Sequence, residues 1–203
     1  MTTPVEIREL VLHEVEHAAA VLGRGMLNNP LHVRVFGGEA ERRERALRRL
    51  FIPVLRQQMR KGIVLGAFVS GRLTGVTGMV PPKHCQPRFA EQVAVLLALI
   101  RGSGVRSSLR VFRWVRDWSR HDAAMPHWHL GPVAVDQVFQ GQGIGSALLQ
   151  EFCQRIDEHQ TAGYLETDKP ENVAFYQRFG FTVIDAHPVL GVRNWFMIRP
   201  AAR

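Results

Sequence analysis

The spacing of apolar residues along the chain predicts helices and strands in an interleaved order. Residues 39–60 carry leucines and other apolar side chains at a helical period, which predicts one long amphipathic helix. Residues 62–80 are rich in strand-forming residues on both sides of Ser70-Gly71-Arg72, which predicts a hairpin with a tight turn. The same patterns predict the other helices at 13–26, from the glycines of 141–145 to about 159, and at 171–180, and the other strands at 5–12, 125–136, 162–168, 181–190 and 192–199.

The segment at about 83–125 is predicted to be a helical insertion. Apolar runs predict one helix over 93–100 and a second over 106–120. In the second helix, arginines occupy a face next to the apolar one, at Arg106, Arg110, Arg113 and Arg120. Two interpretations follow: the arginines solvate a surface helix, or the helix is a lid or wall over a substrate site and its arginines face an acidic group.

The alternation of helices with strands predicts a layered α/β (α+β) domain with a mixed sheet. A length of 203 residues suits a single domain, residues 1–203, with a core of ordinary size. We therefore expect one domain that carries the insertion within it.

Composition narrows the class of protein. Apolar residues make up 46 % of the chain and charged residues 22 %, as in a soluble globular protein. The longest apolar run, residues 93–100, is far too short to span a membrane, and no signal peptide precedes the first strand. Cys85 and Cys153 provide neither a disulfide framework nor a zinc motif. We expect a cytoplasmic protein with no metal and no membrane partner.

The formal net charge of +8 raises the question of a nucleic-acid partner, because basic chains attract polyanions. However, the sequence contains no helix-turn-helix, zinc-finger or RNA-binding motif. Solvated basic helix faces explain the charge more simply. We therefore expect no nucleic-acid partner.

The stretch FQGQGIGSALLQ, residues 139–150, joins a predicted strand to a predicted helix through glycines. The first amides of a helix are unpaired and carry partial positive charge, so such a junction attracts phosphate. A P-loop needs a lysine that is missing here, and a Rossmann fingerprint needs glycine or alanine where Ser146 stands. The third pattern, [QR]xxGx[GA], is met at every position by residues 140–145.

Together with its surroundings, this motif resembles the GNAT superfamily of acetyl-CoA-dependent N-acetyltransferases. The resemblance is carried by LGPVAVDQVFQGQGIGSALL at 130–149 and by ETDKPENVAFYQRFGF at 166–181. It covers most of the chain and is weakest over the insertion. It implies a mixed, mostly antiparallel sheet that is splayed at the cofactor strand and flanked by helices.

The resemblance also implies which residues hold acetyl-CoA. In this family the strand before the glycine loop pairs its backbone with the pantetheine arm, and the loop amides hold the pyrophosphate. A later asparagine and tyrosine, one helical turn apart, face the cofactor. Transferred to this chain, the cofactor-binding residues are Val133, Ala134, Val135, Gln140, Gly141, Gln142, Gly143, Ile144, Gly145, Ser146, Asn172, Phe175 and Tyr176.

Catalysis is predicted to need an acid and a base. Tyr176 would protonate the departing thiolate of coenzyme A, although packing in an aromatic cluster is the alternative for this side chain. His129 is one candidate base, and Glu166 on the neighbouring strand is its rival. Strand alternation predicts that residues 129, 131 and 133 share one face.

The function that these residues predict is transfer of an acetyl group from acetyl-CoA to a primary amine of a small molecule, by direct attack in a ternary complex. Two alternatives remain open: acetylation of a protein or peptide, and a non-catalytic acyl-CoA-binding module. The long insertion favours a small substrate, because a peptide needs an open groove. The protein is expected to be a monomer or a homodimer.

Overall fold

The computed structural model describes residues 4–85 and 89–201, and its elements follow the predicted order. The strands are β1 (Val5–Glu9), β2 (Ile63–Val69), β3 (Arg72–Val80), β4 (His127–Val135), β5 (Ala162–Thr167), β6 (Thr182–Val189) and β7 (Val192–Arg199). The helices are α1 (Val15–Gly25), α2 (Pro30–Phe36), α3 (Ala40–Lys61), α4 (Phe89–Arg120), α5 (Ile144–Glu158) and α6 (Pro170–Gln177), with short 3-10 turns at Leu12–Glu14 and Gln137–Phe139.

The described strands form one seven-stranded sheet in the order β1-β2-β3-β4-β5-β7-β6. Neighbouring strands are antiparallel except for β4 and β5, which are parallel. The predicted mixed, mostly antiparallel α/β architecture is therefore confirmed. The parallel pair places the ends of β4 and β5 side by side, which is where the predicted site residues lie.

The sheet is splayed between β4 and β5. Their backbones pair only where His127, Trp128 and His129 face Ala162 to Tyr164. From Leu130 onward β4 keeps its partner β3 but not β5. An edge of β4 is thereby left open inside the sheet, as the resemblance implies.

A β-bulge in β4 corrects one prediction. Met79 of β3 pairs with Leu130, and Thr77 pairs with Val133, so β4 has one more residue than β3 between these pairs. Leu130 and Val133 consequently pack in the same core cluster, against α5. The expectation that residues 129, 131 and 133 share one face is wrong for Val133, because the extra residue reverses the alternation and leaves His129 on the opposite face.

Helices cover both faces of the sheet. The stripe of α5 is buried as predicted, with Ile144, Leu148, Leu149, Phe152 and Ile156 each no more than 1 % exposed. Full burial of one such side chain stabilises a fold by about 1.5–3 kcal/mol, so this helix is firmly seated. The other face packs against α1, α2, α3 and part of α4.

The end of α1 lies directly against the end of β4. A Cβ at Gly25 would stand 2.5 Å from the carbonyl oxygen of Val135, so this close approach requires glycine. The adjacent Arg24 forms an ion pair with the buried Asp136, at 2.7 Å. These contacts fix the strand end from which the glycine loop departs.

The sequence did not predict α2. Pro30 occupies its first turn, and Asp168 accepts hydrogen bonds from the Leu31 amide at 2.7 Å and from Asn29 Nδ2 at 3.2 Å. Asp168 also lies next to the start of α6, but the N-cap of that helix is Lys169 and no side chain caps it. The carboxylate therefore serves the start of α2 instead.

The insertion is helical, as predicted. Within α4 the backbone departs from helical geometry at Gly104 (φ 82, ψ 163), so two helical pieces meet there. The second piece packs against α3 and α2. Its predicted arginine face is exposed at Arg106, Arg110, Arg113 and Arg120, which favours the solvated interpretation of these side chains. None of the helices among the described residues has the length and apolar character that a transmembrane segment requires.

Candidate active site

The glycine loop presents the start of α5 to an open cleft. Gly141 (φ 78) and Gly143 (φ 81) adopt left-handed backbone conformations that favour glycine, and no atom lies within 4 Å of where their Cβ atoms would stand. Gly143 is the N-cap of α5, and no side chain caps this helix. The first amides of α5 are therefore available to an anion, with the helix dipole adding positive potential.

A cavity of about 500 Å³ lies in front of this loop, in the splay of the sheet. It is lined by every predicted cofactor-binding residue except Gln142. Gln142 is exposed, and its Nε2 reaches the Val138 carbonyl at 3.5 Å. Gln140 lines the cavity, but its side-chain amide donates to the Val135 carbonyl at 3.0 Å.

Two basic residues that the sequence did not single out line the same cavity. Lys169 comes from the loop between β5 and α6, and its Nζ lies 3.3 Å from Glu171. The guanidinium of Arg178 lies 5.2 Å from the centre of the Phe175 ring. Their charges are suited to phosphate groups. Lys169 and Arg178 could have been identified from the sequence, because each lies close to the Asn172–Tyr176 pair, one before it and one after it.

Asn172 and Tyr176 lie on one face of α6, as predicted, and both line the cavity. Asn172 Nδ2 donates to Thr167 Oγ1 at 3.2 Å, which orients its amide. Tyr176 is 7 % exposed. Burial raises the pKa of its hydroxyl above the ordinary value, and the charge of Asp168 adds to the shift. Tyr176 thus holds its proton at neutral pH.

A second cavity of about 250 Å³ adjoins the first. The two cavities share lining residues at Met26, Asn29, Val133, Asn172 and Tyr176. His129 and Glu166 line only the second. Tyr176 therefore stands at the junction of the two, with the glycine loop on one side and the two candidate bases on the other.

The two candidate bases are hydrogen-bonded partners. His129 Nε2 lies 2.8 Å from Glu166 Oε2, and the Glu166 side chain is only 4 % exposed. Burial alone would lower the pKa of His129, but the charge and hydrogen bond of Glu166 outweigh it and the pKa lies above its ordinary value. The structure thus brings together two residues that the sequence had presented as rivals.

Three side chains near this pair offer ligand atoms within 4.8 Å of one another: Cys85, His127 and His129. Both imidazoles have protein partners. His127 Nδ1 contacts the Met125 carbonyl at 2.8 Å and its Nε2 lies 3.1 Å from Asp122, while His129 pairs with Glu166. This donor set does not require a metal to satisfy its histidines, and the absence of a metal stays a prediction.

Comparison with known proteins finds a matching domain model over part of the chain and the same fold over all of it. Residues 107–183 match the family model for the acetyltransferase (GNAT) domain. The whole chain is similar to the structure of the histone acetyltransferase HPA2 and related acetyltransferase from Corynebacterium glutamicum, at 24 % identity and a TM-score of 0.75, covering 100 % of this chain and 98 % of that one.

Two further structures carry descriptions that bear on ligands. The PaiA N-acetyltransferase from Thermoplasma acidophilum, in complex with coenzyme A, is 15 % identical with a TM-score of 0.59, covering 97 % of this chain and 99 % of that one. An agmatine N-acetyltransferase mutant is 14 % identical with a TM-score of 0.60, covering 96 % and 98 %. The chain thus has the GNAT fold, and the resemblance seen in the sequence is confirmed.

Proposed function

We propose that this protein is an N-acetyltransferase that transfers an acetyl group from acetyl-CoA to the primary amine of a small molecule. The observation that carries the proposal is the meeting of two cavities at Tyr176. The first cavity has the uncapped start of α5 and two basic residues, as a pyrophosphate needs. The second has an acid–base pair and, at about 250 Å³, the size of a small acceptor.

Acetyl-CoA would occupy the first cavity. Its pyrophosphate would bind the amides between Gln140 and Ser146, with Lys169 and Arg178 adding positive charge. Its pantetheine arm would lie along the open edge of β4 at 133–135, where an added backbone finds hydrogen-bonding groups. The PaiA structure with bound coenzyme A supports this assignment through its shared fold.

The chemistry would be direct attack in a ternary complex. His129 in its neutral form, oriented by Glu166, accepts a proton from the substrate ammonium. The amine nitrogen then attacks the thioester carbonyl, and its carbon–sulfur bond breaks. Tyr176 donates its proton to the departing sulfur, and the new amide nitrogen passes its extra proton to the Tyr176 oxygen, which gives the neutral amide, free coenzyme A and a restored Tyr176 hydroxyl. Backbone amides near Val135 are the candidate donors to the carbonyl oxygen during attack.

Two measurements test the proposal. Acetyl-CoA at millimolar concentration should raise the melting temperature, because it binds only the native state. Tyr176→Phe should lower kcat by about 100-fold, as loss of a general acid does, with little change in acetyl-CoA affinity. The absence of any thermal shift would contradict the cofactor assignment.

A packing control separates the roles of Tyr176. Phe181 is 1 % exposed and its ring lies 6.1 Å from that of Tyr176. Phe181→Leu should lower stability while keeping most of kcat. If Tyr176→Phe instead weakens acetyl-CoA binding as much as it lowers kcat, Tyr176 is a packing or contact residue.

The alternatives make different predictions. An acyl-CoA-binding module would bind acetyl-CoA but release no coenzyme A with any amine. A protein acetyltransferase, as the histone acetyltransferase HPA2 of the Corynebacterium glutamicum structure is by name, would use peptides better than free amines. The small volume of the second cavity, about 250 Å³, supports the small-molecule assignment.

A further inference from the structure

We infer that the acceptor is a monoamine with a compact apolar or aromatic body, carrying neither a carboxylate nor a second ammonium group. The inference rests on the proposed function and specifies the substrate of the same site. It follows from the size, the charges and the walls of the second cavity, and it assigns α4 the role of the wall that selects the substrate.

The volume sets the size of the acceptor. A cavity of roughly 150 Å³ accommodates a benzene molecule, so about 250 Å³ holds one ring with a short aminoalkyl chain. A peptide chain cannot be enclosed in this space. The amine would lie at the end near His129, Glu166 and Tyr176, because the proton transfers take place there.

The opposite end of the cavity is apolar, and α4 supplies much of it. Val111, Trp114, Val115 and Trp118 project from α4, and Leu50 and Phe51 from α3 complete the wall. The rings of Trp114 and Trp118 meet edge to face at 5.1 Å. Such walls favour an aromatic or branched apolar group, which gains from leaving water.

The charged groups of the cavity are already paired. Glu166 bonds His129, and Asp168 accepts hydrogen bonds from the Leu31 amide and Asn29. Burial lowers the pKa of His32, which therefore stays neutral, and its Nδ1 donates to the Met26 carbonyl at 2.9 Å. Among the described residues, no lysine or arginine lines this cavity.

These pairings exclude charged acceptor bodies. A carboxylate would lose its hydration next to two buried carboxylates and find no free cation, as happens to any unpaired buried charge. A second ammonium at the apolar end could contact the face of Trp114 or Trp118. A cation–π contact, however, returns only part of the hydration that the ammonium loses. Amino acids and diamines should therefore be poor acceptors.

The test measures coenzyme A release with primary amines of different charge and size. 2-Phenylethylamine is compared with phenylalanine, which adds a carboxylate, with butane-1,4-diamine, which replaces the ring with a second amine, and with an alanine-initiated tetrapeptide. We expect kcat/KM for 2-phenylethylamine to exceed that for each of the others by at least about 100-fold, reflecting an unpaired charge or an excluded chain.

A variant that introduces a positive charge tests the wall directly. Val115 lines the cavity and is 36 % exposed, so Val115→Arg brings a cation to the apolar end at little risk to the fold. It should raise the ratio of phenylalanine to 2-phenylethylamine turnover by about 10-fold or more, since the carboxylate gains a partner. Leu109, on the same helix, is 53 % exposed and lines no described cavity, so Leu109→Arg adds the same charge and should leave the ratio unchanged.

The outcomes separate this inference from the proposed function. Preferred turnover of the amino acid, the diamine or the peptide overturns the inference and leaves the acetyltransferase assignment standing. Turnover of another primary amine together with no turnover of 2-phenylethylamine at millimolar concentration also overturns it, whereas no turnover of any amine contradicts the proposed function itself. The inference is likewise rejected if Leu109→Arg changes the ratio as much as Val115→Arg.

Discussion

The pairing of His129 with Glu166 defines how activity should depend on pH. Because the pKa of His129 is raised from its ordinary 6.5, activity should increase with pH as His129 loses its proton, with the inflection above that value. Glu166→Gln removes the raising charge and leaves burial to lower the pKa. The pH at which activity rises should therefore be lower in this variant, as measured in profiles of kcat/KM against pH with one amine.

The groups that face His129 come from several elements, and the charges of Glu166, Asp122 and His127 shift its pKa. They are Asp122 and His127 next to or on β4, Cys85 after β3, and Tyr164 and Glu166 on β5. Glu171→Gln is the matched control, because Glu171 is exposed on α6 and its loss changes the net charge equally. If the rise of kcat/KM with pH is unshifted in Glu166→Gln, the His129–Glu166 pair does not set the pH profile.

Individual residues differed in how far the sequence predicted them. The family resemblance implied positions 140, 141, 143–146 and Tyr176, which do line the first cavity, and it could be recognised because its motifs are short and local. The partnership of His129 with Glu166 depends on the parallel register of β4 and β5, which no local pattern encodes. The bulge after Leu130 is hidden for the same reason.

Among the elements, the junction of β4 with α5 gives a direct test of the glycine loop. Gly143→Ala places a Cβ at φ 81, which should destabilise the fold by about 1 kcal/mol. It should also weaken acetyl-CoA binding by about 10-fold, because the methyl group would occupy the open space where the ligand approaches the backbone. Chemical denaturation and calorimetry measure the two effects.

A second glycine provides the control. Gly191, in the turn between β6 and β7, has φ 80 and no atom within 4 Å of its Cβ position. Gly191→Ala should cost the same stability and leave acetyl-CoA affinity unchanged. Equal loss of affinity in both variants would show that backbone strain, and not the cradle, accounts for the effect.

Element order was predictable, since strand and helix periods are strong along most of the chain. The exception is α2, whose seven residues are too few to establish a period. Its start is fixed by Asp168, which lies 137 positions from Leu31 in the sequence. A cap so distant produces no recognisable pattern in the residues around α2. The insertion was predicted as helical, but its place as a cavity wall depends on packing against α3.

At the scale of the whole molecule, Asp168 connects parts of the chain that are distant in sequence. Asp168→Ala leaves the buried Leu31 amide without its acceptor and should destabilise the protein by about 1–3 kcal/mol, as measured by denaturant unfolding. Asp157, which pairs with Arg199 at 2.6 Å nearer the surface, is the control. Asp157→Ala should cost less than about 1 kcal/mol, and equal losses would contradict the capping role.

The position of Asp168 has a thermodynamic consequence. The loop that carries it leads into α6, which lines the first cavity, whereas the helix that it caps carries His32, which lines the second. Ordering the first cavity therefore helps to order the second. The acetyl donor and the acceptor should each tighten the binding of the other by an equal factor, because coupled binding equilibria are reciprocal. The buried carboxylate of Asp168 would then make the binding of donor and acceptor cooperative.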